Sequence, residues 1–299
     1  NNPFFGDAFV SSSISDKSTF ENFYTEFNAR YSNETLGAIK ASLGYNNHNY
    51  GYNSLVILNN QTITNRLLGD VLSFGAAYEN KIGALDINGE VGFNLTGDLE
   101  GNFINGDVSY IFNDDTEAKA GININSKAPD FNFQLFQSDY LSYNWQNDFK
   151  NQQTKQLAIT LKSKKYGSLQ LDYNIIGNYL YFAKNEAAAV KPFQHGGTLN
   201  YVRAKFSNEI SYKRFALNNT ILFQSVLDGE EVLNVPQLVM RHTFYYSNEF
   251  FKKALFLQTG VTLSYFSSYT MNAYDPLLAE FYTQNTTEIG DLPKIDFFI

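Results

Sequence analysis

Thirteen segments of the chain alternate apolar and polar residues, the pattern that a β-strand imposes on its two faces. The clearest segment is 84–95, ALDINGEVGFNL, in which Leu85 and Val91 share one parity while Asp86 and Glu90 share the other. Such a strand has one apolar face and one strongly polar face. The other segments are 19–31, 35–45, 71–80, 102–112, 116–125, 155–163, 167–176, 197–208, 213–225, 237–247, 253–265 and a thirteenth that begins near 293. The sequence therefore predicts an all-β fold.

The length of these segments favours a membrane over water as the surrounding solvent. Strands of soluble proteins average about 5–6 residues, whereas strands that cross a bilayer need about 9–11. The predicted segments mostly match the second class. No apolar run reaches about 18 residues, so transmembrane helices are excluded. Mean hydropathy is −0.30, because apolar residues are interleaved with polar ones rather than grouped.

Connections between the segments alternate between short and long. The short connections are 32–34, 81–83, 113–115, 164–166, 209–212 and 248–252, and 96–101 is intermediate. The long ones are 46–70, 126–154, 177–196, 226–236 and 266–292. Alternate connections of an up-and-down sheet lie at the same end, so one end has tight turns and the other extended loops. Outer-membrane barrels have this asymmetry, with short periplasmic turns and long extracellular loops. We therefore expect residues 1–299 to form a single domain, a transmembrane up-and-down antiparallel β-barrel.

The polar parity would then face a water-filled lumen and the apolar parity would face lipid. Charges on lumen walls set the selectivity of a pore. We predict that seven charged residues line it: Asp86, Glu90, Asp107, Lys119, Arg203, Lys205 and Arg241. The acidic residues cluster on neighbouring strands and three basic ones follow further around the wall, so opposed walls could create a transverse field. Simple hydration of a polar interior, or a closed lumen filled by salt bridges, remains an equal alternative.

Both ends of the pattern are expected to be incomplete. If short turns are periplasmic, strand 19–31 runs downward, and 3–13 is the one candidate here for an upward strand before it. The segment 293–299 stops partway through a downward strand. Since bacterial barrels usually have an even number of strands, we expect a longer protein with terminal strands beyond this chain. We expect the full barrel to have about 14–18 strands, which is large enough for an aqueous channel.

Several stretches resemble the β-barrel porins of Bacteroidota. The most specific are MRHTFYY (240–246) and YDPLLAEFY (274–282), within a similar block that spans 235–285. QSDYLSYNWQNDF (137–149) and KSTFENFYTEFNARYS (17–32) are similar to the same family. The resemblance implies an outer-membrane barrel of a Gram-negative bacterium, with two more strands and an aromatic terminus after DFFI. It implies no catalytic residue and no permeant.

The sequence offers little support for catalysis, cofactors or metals. His48 and His195 fall in predicted loops and His242 on the outward face, and nothing places a serine and an acid beside any of them. The acidic runs NDDTE (113–117) and DGEE (228–231) are typical of a turn and a solvated loop. We therefore predict no enzyme activity, catalytic residue, cofactor or metal site. A net charge of −8 without a basic cluster argues against nucleic acid as a partner.

Three functions fit this pattern. The first is a passive channel for small hydrophilic solutes. The second is a non-conducting barrel subunit of a larger outer-membrane machine for secretion, nutrient uptake or barrel assembly. The third is a transporter of hydrophobic ligands with a plugged lumen. Expected partners are outer-membrane lipid and lipopolysaccharide, and other outer-membrane proteins in the second case. Residues 126–154 are rich in aromatic side chains, which we expect to pack over the mouth rather than to bind a ligand.

Overall fold

The computed structural model describes residues 4–10, 13–58, 60–97 and 99–299. Within these ranges no helix is both long and apolar enough to cross a membrane. The one helix, α1, is Phe131–Gln134. In chain order, the strands are β1 (Ser18–Asn33), β2 (Gly37–Tyr52), β3 (Val56–Leu58), β4 (Gln61–Ile63), β5 (Arg66–Ile82), β6 (Leu85–Thr96), β7 (Gly101–Asn113), β8 (Thr116–Lys127), β9 (Leu135–Phe136), β10 (Trp145–Gln146), β11 (Gln152–Ser163), β12 (Gly167–Gly177), β13 (Leu180–Lys184), β14 (Val190–Gln194), β15 (Thr198–Tyr212), β16 (Phe215–Asp228), β17 (Leu238–Phe250), β18 (Leu255–Phe266), β19 (Tyr269–Thr270), β20 (Ala273–Asp275), β21 (Glu280–Thr283), β22 (Glu288–Ile289) and β23 (Lys294–Phe298).

Thirteen of these strands form one antiparallel sheet, which we call the wall. Its order is β1-β2-β5-β6-β7-β8-β11-β12-β15-β16-β17-β18-β23. The thirteen wall strands correspond one to one to the thirteen predicted segments. Each wall strand pairs with the wall strand that follows it in the chain, which is the predicted up-and-down topology. The remaining strands are short and belong to the long connections.

The short connections are tight hairpins, and local side-chain hydrogen bonds fix some of them. In the first, the carboxamide oxygen of Asn33 accepts from the backbone N–H of Thr35 (2.8 Å) and Leu36 (3.1 Å). Gly37 closes this turn at φ +79°, a conformation that costs glycine little. Asn113 Oδ1 accepts from the N–H of Asp115 in a later hairpin. Asparagine at these positions therefore sets the tight end of the wall.

Several wall strands extend beyond the predicted segments, β2 and β5 at the end with long loops and β15 at the end with tight turns. β2 continues to Tyr52 rather than ending at 45, and β5 begins at Arg66 rather than at 71. His48, predicted in a loop, therefore lies within β2 and is 3 % exposed. The hydrophobic alternation stops where the wall leaves the hydrocarbon region, but ladder hydrogen bonds continue beyond it. Outward positions beyond that point are polar, as at Asn47, so the sequence pattern predicts the end of the strand too early.

The two faces of the wall have the predicted assignment. Along β11, the apolar residues Leu157 and Ile159 are 50 % and 40 % exposed, whereas Gln156 and Thr160 on either side of them are half-buried. A soluble protein would bury the apolar set. The polar face carries the ion pairs between wall strands, and the loops fold over it. We call it the inner face, and the apolar one the outer face.

The long connections fold together into a second body of structure. Residues 128–151, 178–197 and 267–293 pack around a shared aromatic core, and we call this assembly the loop cap. The segment 3–13, expected as an upward strand, joins the loop cap where it is described, since Ala8 pairs with Tyr140 rather than with β1. Residues 3, 11 and 12 lie outside the described part of the chain. The expectation of a wall strand at 3–13 is therefore wrong for residues 4–10.

Candidate functional site

All seven predicted lining residues lie on the inner face. Asp86 and Glu90 are on β6, Asp107 on β7 and Lys119 on β8. Arg203 and Lys205 are on β15, and Arg241 is on β17. Cross-strand register places each of them beside other polar residues: Arg203 lies opposite Asp172, and Arg241 lies opposite Thr220 and Ser264. Whether this face borders an open pore stays a prediction.

The acidic part of the inner face is partly neutralised by a neighbouring lysine. Asp107 Oδ2 is 2.9 Å from Lys119 Nζ and also accepts from Asn88 Nδ2 at 3.1 Å. The same amide nitrogen reaches Asp86 Oδ1 at 3.3 Å. Glu90 has no ion-pair partner within 4 Å among the described residues. Of the predicted acids, Asp86 and Glu90 therefore keep uncompensated charge on the inner face.

The basic part shows the same mixture. Two nitrogens of Arg203 contact one carboxylate oxygen of Asp172, Nε at 2.9 Å and Nη2 at 2.8 Å. Within the described chain, Lys205 and Arg241 have no carboxylate within 4 Å. Four strands of the wall order, β7, β8, β11 and β12, separate the free acids on β6 from Lys205 on β15, so the free acids and free bases occupy different parts of the wall. One ion pair is therefore compensated in each part, Asp107 with Lys119 and Arg203 with Asp172, and opposition of the two parts across a lumen stays a prediction.

Sequence reasoning missed further ion pairs of the inner face. Glu26 on β1 faces Lys40 on β2, with 3.8 Å between Oε1 and Nζ. Arg30 pairs with Glu79 across two strands, and Lys162 pairs with Glu117 at 3.5 Å. Parity alone could have placed each of these residues on the inner face. Their pairing needed the strand register, which the sequence pattern does not fix.

A cavity of about 480 Å³ lies against the inner face of the first strands. Tyr24 and Phe103 supply aromatic surface, and Lys40 and Glu90 supply opposite charges. The Phe103 ring can occupy its place in this lining only because residue 92 is glycine, since a Cβ at Gly92 would come within 2.3 Å of that ring. The inner face therefore has a shaped recess that mixes aromatic and charged groups.

The loop cap has a buried core that the sequence only partly predicted. Its buried residues are Tyr140, Tyr143, Trp145, Phe182, Val190 and Leu278. The expectation that the aromatic side chains of 126–154 pack rather than stay free is confirmed for the first three, which are at most 8 % exposed. Their partners Phe182, Val190 and Leu278 come from two other long loops, whereas the expectation concerned residues 126–154 alone. Tyr143 Oη donates to Asp275 Oδ2 at 2.7 Å, joining two of these loops.

The loop cap reaches across the polar face. Phe131, which follows β8, stacks on Tyr50 of β2 with ring centroids 5.1 Å apart. Gln137 Nε2 donates to the carbonyl of Thr64 beside β5. β8 and β2 are four strand spacings apart, or about 19 Å along the wall. A loop that spans this distance and contacts inner-face residues covers part of the extracellular mouth.

Lys191 is the cation of the cap core. Its Nζ lies 5.0 Å from the centre of the Trp145 ring and donates to the carbonyl of Asn144 at 3.3 Å. Burial lowers the pKa of Lys191 below its ordinary value. A cation held on an indole face contributes to stability when it is desolvated. The contacts of Lys191 with Trp145 and Asn144 join loop 178–197 to loop 128–151, which is a structural role.

Metal chemistry finds no support in the described ranges, which contain no group of three or more potential side-chain ligands. His195 lies 3.5 Å from Glu231 in the loops. His242 lies on the outer face, as its parity predicted, and bonds to Asn219.

Comparison with known sequences gives one family. The sequence model of a family described as "Putative porin" matches residues 1–299. No curated protein matches the chain.

Solved structures with a similar fold include siderophore receptors and a copper transporter. A mutant of the ferric enterobactin receptor PfeA from Pseudomonas aeruginosa, in complex with enterobactin, matches with a TM-score of 0.64 at 11 % identity, over 93 % of this chain and 46 % of that chain. The siderophore receptor PirA from Acinetobacter baumannii matches with 0.64 at 11 %, over 96 % and 49 %. The copper transporter OprC matches with 0.54 at 10 %, over 84 % and 44 %. The chain thus spans about half the length of these proteins, and the likeness shows the fold alone.

Proposed function

Because this chain belongs to the "Putative porin" family and forms the wall of a β-barrel in the bacterial outer membrane, we propose that it passes small hydrophilic solutes by passive diffusion. The observation that carries the proposal is the inner face. It holds hydrogen-bonded amides and mixed charges, including Glu90, Lys205 and Arg241 without a countercharge within 4 Å in the described chain. Unpaired charges on a dry interior are costly, whereas a water-filled lumen hydrates them.

Charge on the inner face would then select among permeating ions. Acids and bases that lack partners occupy different strands, so a solute crosses a transverse field. The loop cap would narrow the extracellular mouth. A solute that passes the cap would next reach the recess beside Tyr24 and Phe103. The size of the passing solute is set by whichever of these is narrower.

Conductance across a planar bilayer tests the proposal. Purified full-length protein that contains this chain should produce stable ohmic steps. Under a KCl gradient, Arg241→Gln should shift the reversal potential towards cation preference, because it removes an uncompensated inner positive charge. Lys253→Gln is the matched control, since Lys253 lies beside a periplasmic turn and its side chain is 80 % exposed. Folded protein that stays silent would contradict passive diffusion, and an equal shift in both variants would contradict selection by the charge of Arg241.

One observation favours a second function, a non-conducting barrel subunit of a larger outer-membrane machine. The loop cap crosses part of the mouth and is held by buried contacts such as Tyr143 with Asp275. A silent bilayer trace from folded protein, together with co-purification of other outer-membrane proteins from mild detergent, would support this function.

A further inference from the structure

Three polar side chains interrupt the apolar outer face. Asn208 of β15 lies opposite Asn219 of β16, and Asn219 lies opposite His242 of β17. We call these three residues the polar row. The adjacent outward positions on the same strands are apolar: Phe206, Ile210, Leu217, Ile221, Met240 and Phe244. The row is therefore a small hydrogen-bonding patch surrounded by lipid-facing side chains.

The polar row is a directed chain of hydrogen bonds. Asn219 Nδ2 donates to Asn208 Oδ1 at 3.0 Å, and His242 Nδ1 donates to Asn219 Oδ1 at 2.7 Å. This leaves a donor at one end, Asn208 Nδ2, and an acceptor at the other, His242 Nε2. The described residues supply a partner to neither end. Acyl chains offer no hydrogen-bonding group, so both free ends cost energy where they face lipid.

The row lies within the hydrocarbon region. Asn219 is four residues from Phe215, which stacks on Phe244 near the periplasmic turns. With about 2.5 Å of height per residue of a tilted strand, the row is about 10 Å inside the level of Phe215 and about 5 Å inside that of Phe244. Water from the interface does not reach this depth without a defect, and polar residues kept at such sites are typically functional.

We propose that the polar row is the centre of a contact with a second copy of this chain in the membrane. A twofold axis normal to the membrane and close to Asn219 directs the Asn208 end of one row towards the His242 end of the other. The free donor of each copy then meets the free acceptor of its partner, twice by symmetry. The apolar side chains around the row supply the packing surface. The contact depends on the outer-membrane location and not on conduction.

The absence of cysteine makes the contact directly testable. Leu217→Cys places a single thiol on the outer face beside the row, and Leu161→Cys places one on the outer face of β11. In native membranes, oxidation should link Leu217→Cys into a covalent dimer and leave Leu161→Cys mainly monomeric. Equal cross-linking at both positions, or none at Leu217→Cys, would overturn the proposal.

A second variant separates docking from a role within one wall. Replacing the whole row, Asn208→Val with Asn219→Leu and His242→Leu, removes the two intermolecular hydrogen bonds. We expect dimerisation in lipid nanodiscs to weaken by about tenfold, the effect of two modest membrane hydrogen bonds. The monomer should resist urea at least as well as before, because buried polar groups become apolar. A lower unfolding midpoint with unchanged dimerisation would assign the row to strand pairing alone and refute the contact.

Discussion

The hydrogen bond between Tyr143 and Asp275 should control the stability of the loop cap independently of the wall. Tyr143 and Asp275 are 3 % and 4 % exposed, and 2.7 Å separates the phenol oxygen from the carboxylate. The other carboxylate oxygen accepts from the N–H of Leu277 and Leu278. Tyr143→Phe keeps the packing but leaves Asp275 Oδ2 desolvated without its donor. The variant therefore isolates one bond of the cap.

The expected magnitude follows from the charge on the acceptor. A hydrogen bond to a charged group contributes about 1.5–3 kcal/mol, and a loss of about 2 kcal/mol raises the open fraction of the cap about 30-fold. The wall should be unaffected, since neither residue lies in it. Opening of the cap should therefore precede unfolding of the sheet in the variant.

Trp145 is the only tryptophan of the chain and is 6 % exposed within the cap core. Its fluorescence in a urea titration reports the cap, while far-ultraviolet circular dichroism reports the wall. Tyr143→Phe should lower the fluorescence midpoint and leave the dichroism midpoint in place. Tyr166→Phe is the matched control, because Tyr166 is 67 % exposed at a tight turn. A fluorescence midpoint that moves no more than in the control would refute the reasoning.

The pH dependence of the same bond has a definite sign. Burial, and then the hydrogen bond to the Asp275 carboxylate, raise the pKa of Tyr143 above its ordinary value. The folded cap thus favours the neutral phenol, whose contribution is complete below about pH 10 and is lost as pH rises through the raised pKa. Trp145 fluorescence should show a cap that is stable at neutral pH and loosens only in strongly alkaline solution. Tyr143→Phe should reduce this alkaline transition and not abolish it, because burial also raises the pKa values of Tyr179 and Tyr181 in the same cap.

Three further predictions concern the wall. Ile159→Lys places a charge on the outer face and should destabilise the folded barrel by about 2–4 kcal/mol, whereas Gln156→Lys on the inner face should cost far less; urea midpoints in lipid measure both. Gly92→Val pushes a side chain into Phe103 and should cost about 1–3 kcal/mol in the same assay. Asp107→Asn frees its lysine partner, so the reversal potential should shift towards anion preference. An unchanged potential would show that this pair lies away from the path of the ions.

Much of the wall was predictable because its two solvents differ so strongly. Leu157 and Ile159 must meet lipid while Gln156 meets water, so the period of two survives in almost every strand. The alternation of turn lengths then fixes which end is which. Strand ends were less predictable, as His48 shows, since beyond the bilayer polar residues also occupy the outer face and the inner face packs against the loop cap, so the alternation disappears.

The loop cap and the pairing of charges were beyond the reach of the pattern. Asp172 and Arg203 share a face by parity, but their contact depends on register between strands. Phe182 and Leu278 join Trp145 through loops that carry no periodicity. Such contacts depend on three-dimensional closure of the mouth, for which a single sequence contains no local signal.

The joint between Tyr143 and Asp275 connects residues 132 positions apart. Closing so long a stretch of chain is entropically expensive, so the joint forms only after the intervening strands have paired and brought its halves together. A barrel assembled with one strand slipped would hold these halves at the wrong spacing. The bond between Tyr143 and Asp275 therefore forms only in a correctly assembled barrel. Fluorescence of Trp145, which is buried in the same cap, reports when this last step of folding takes place.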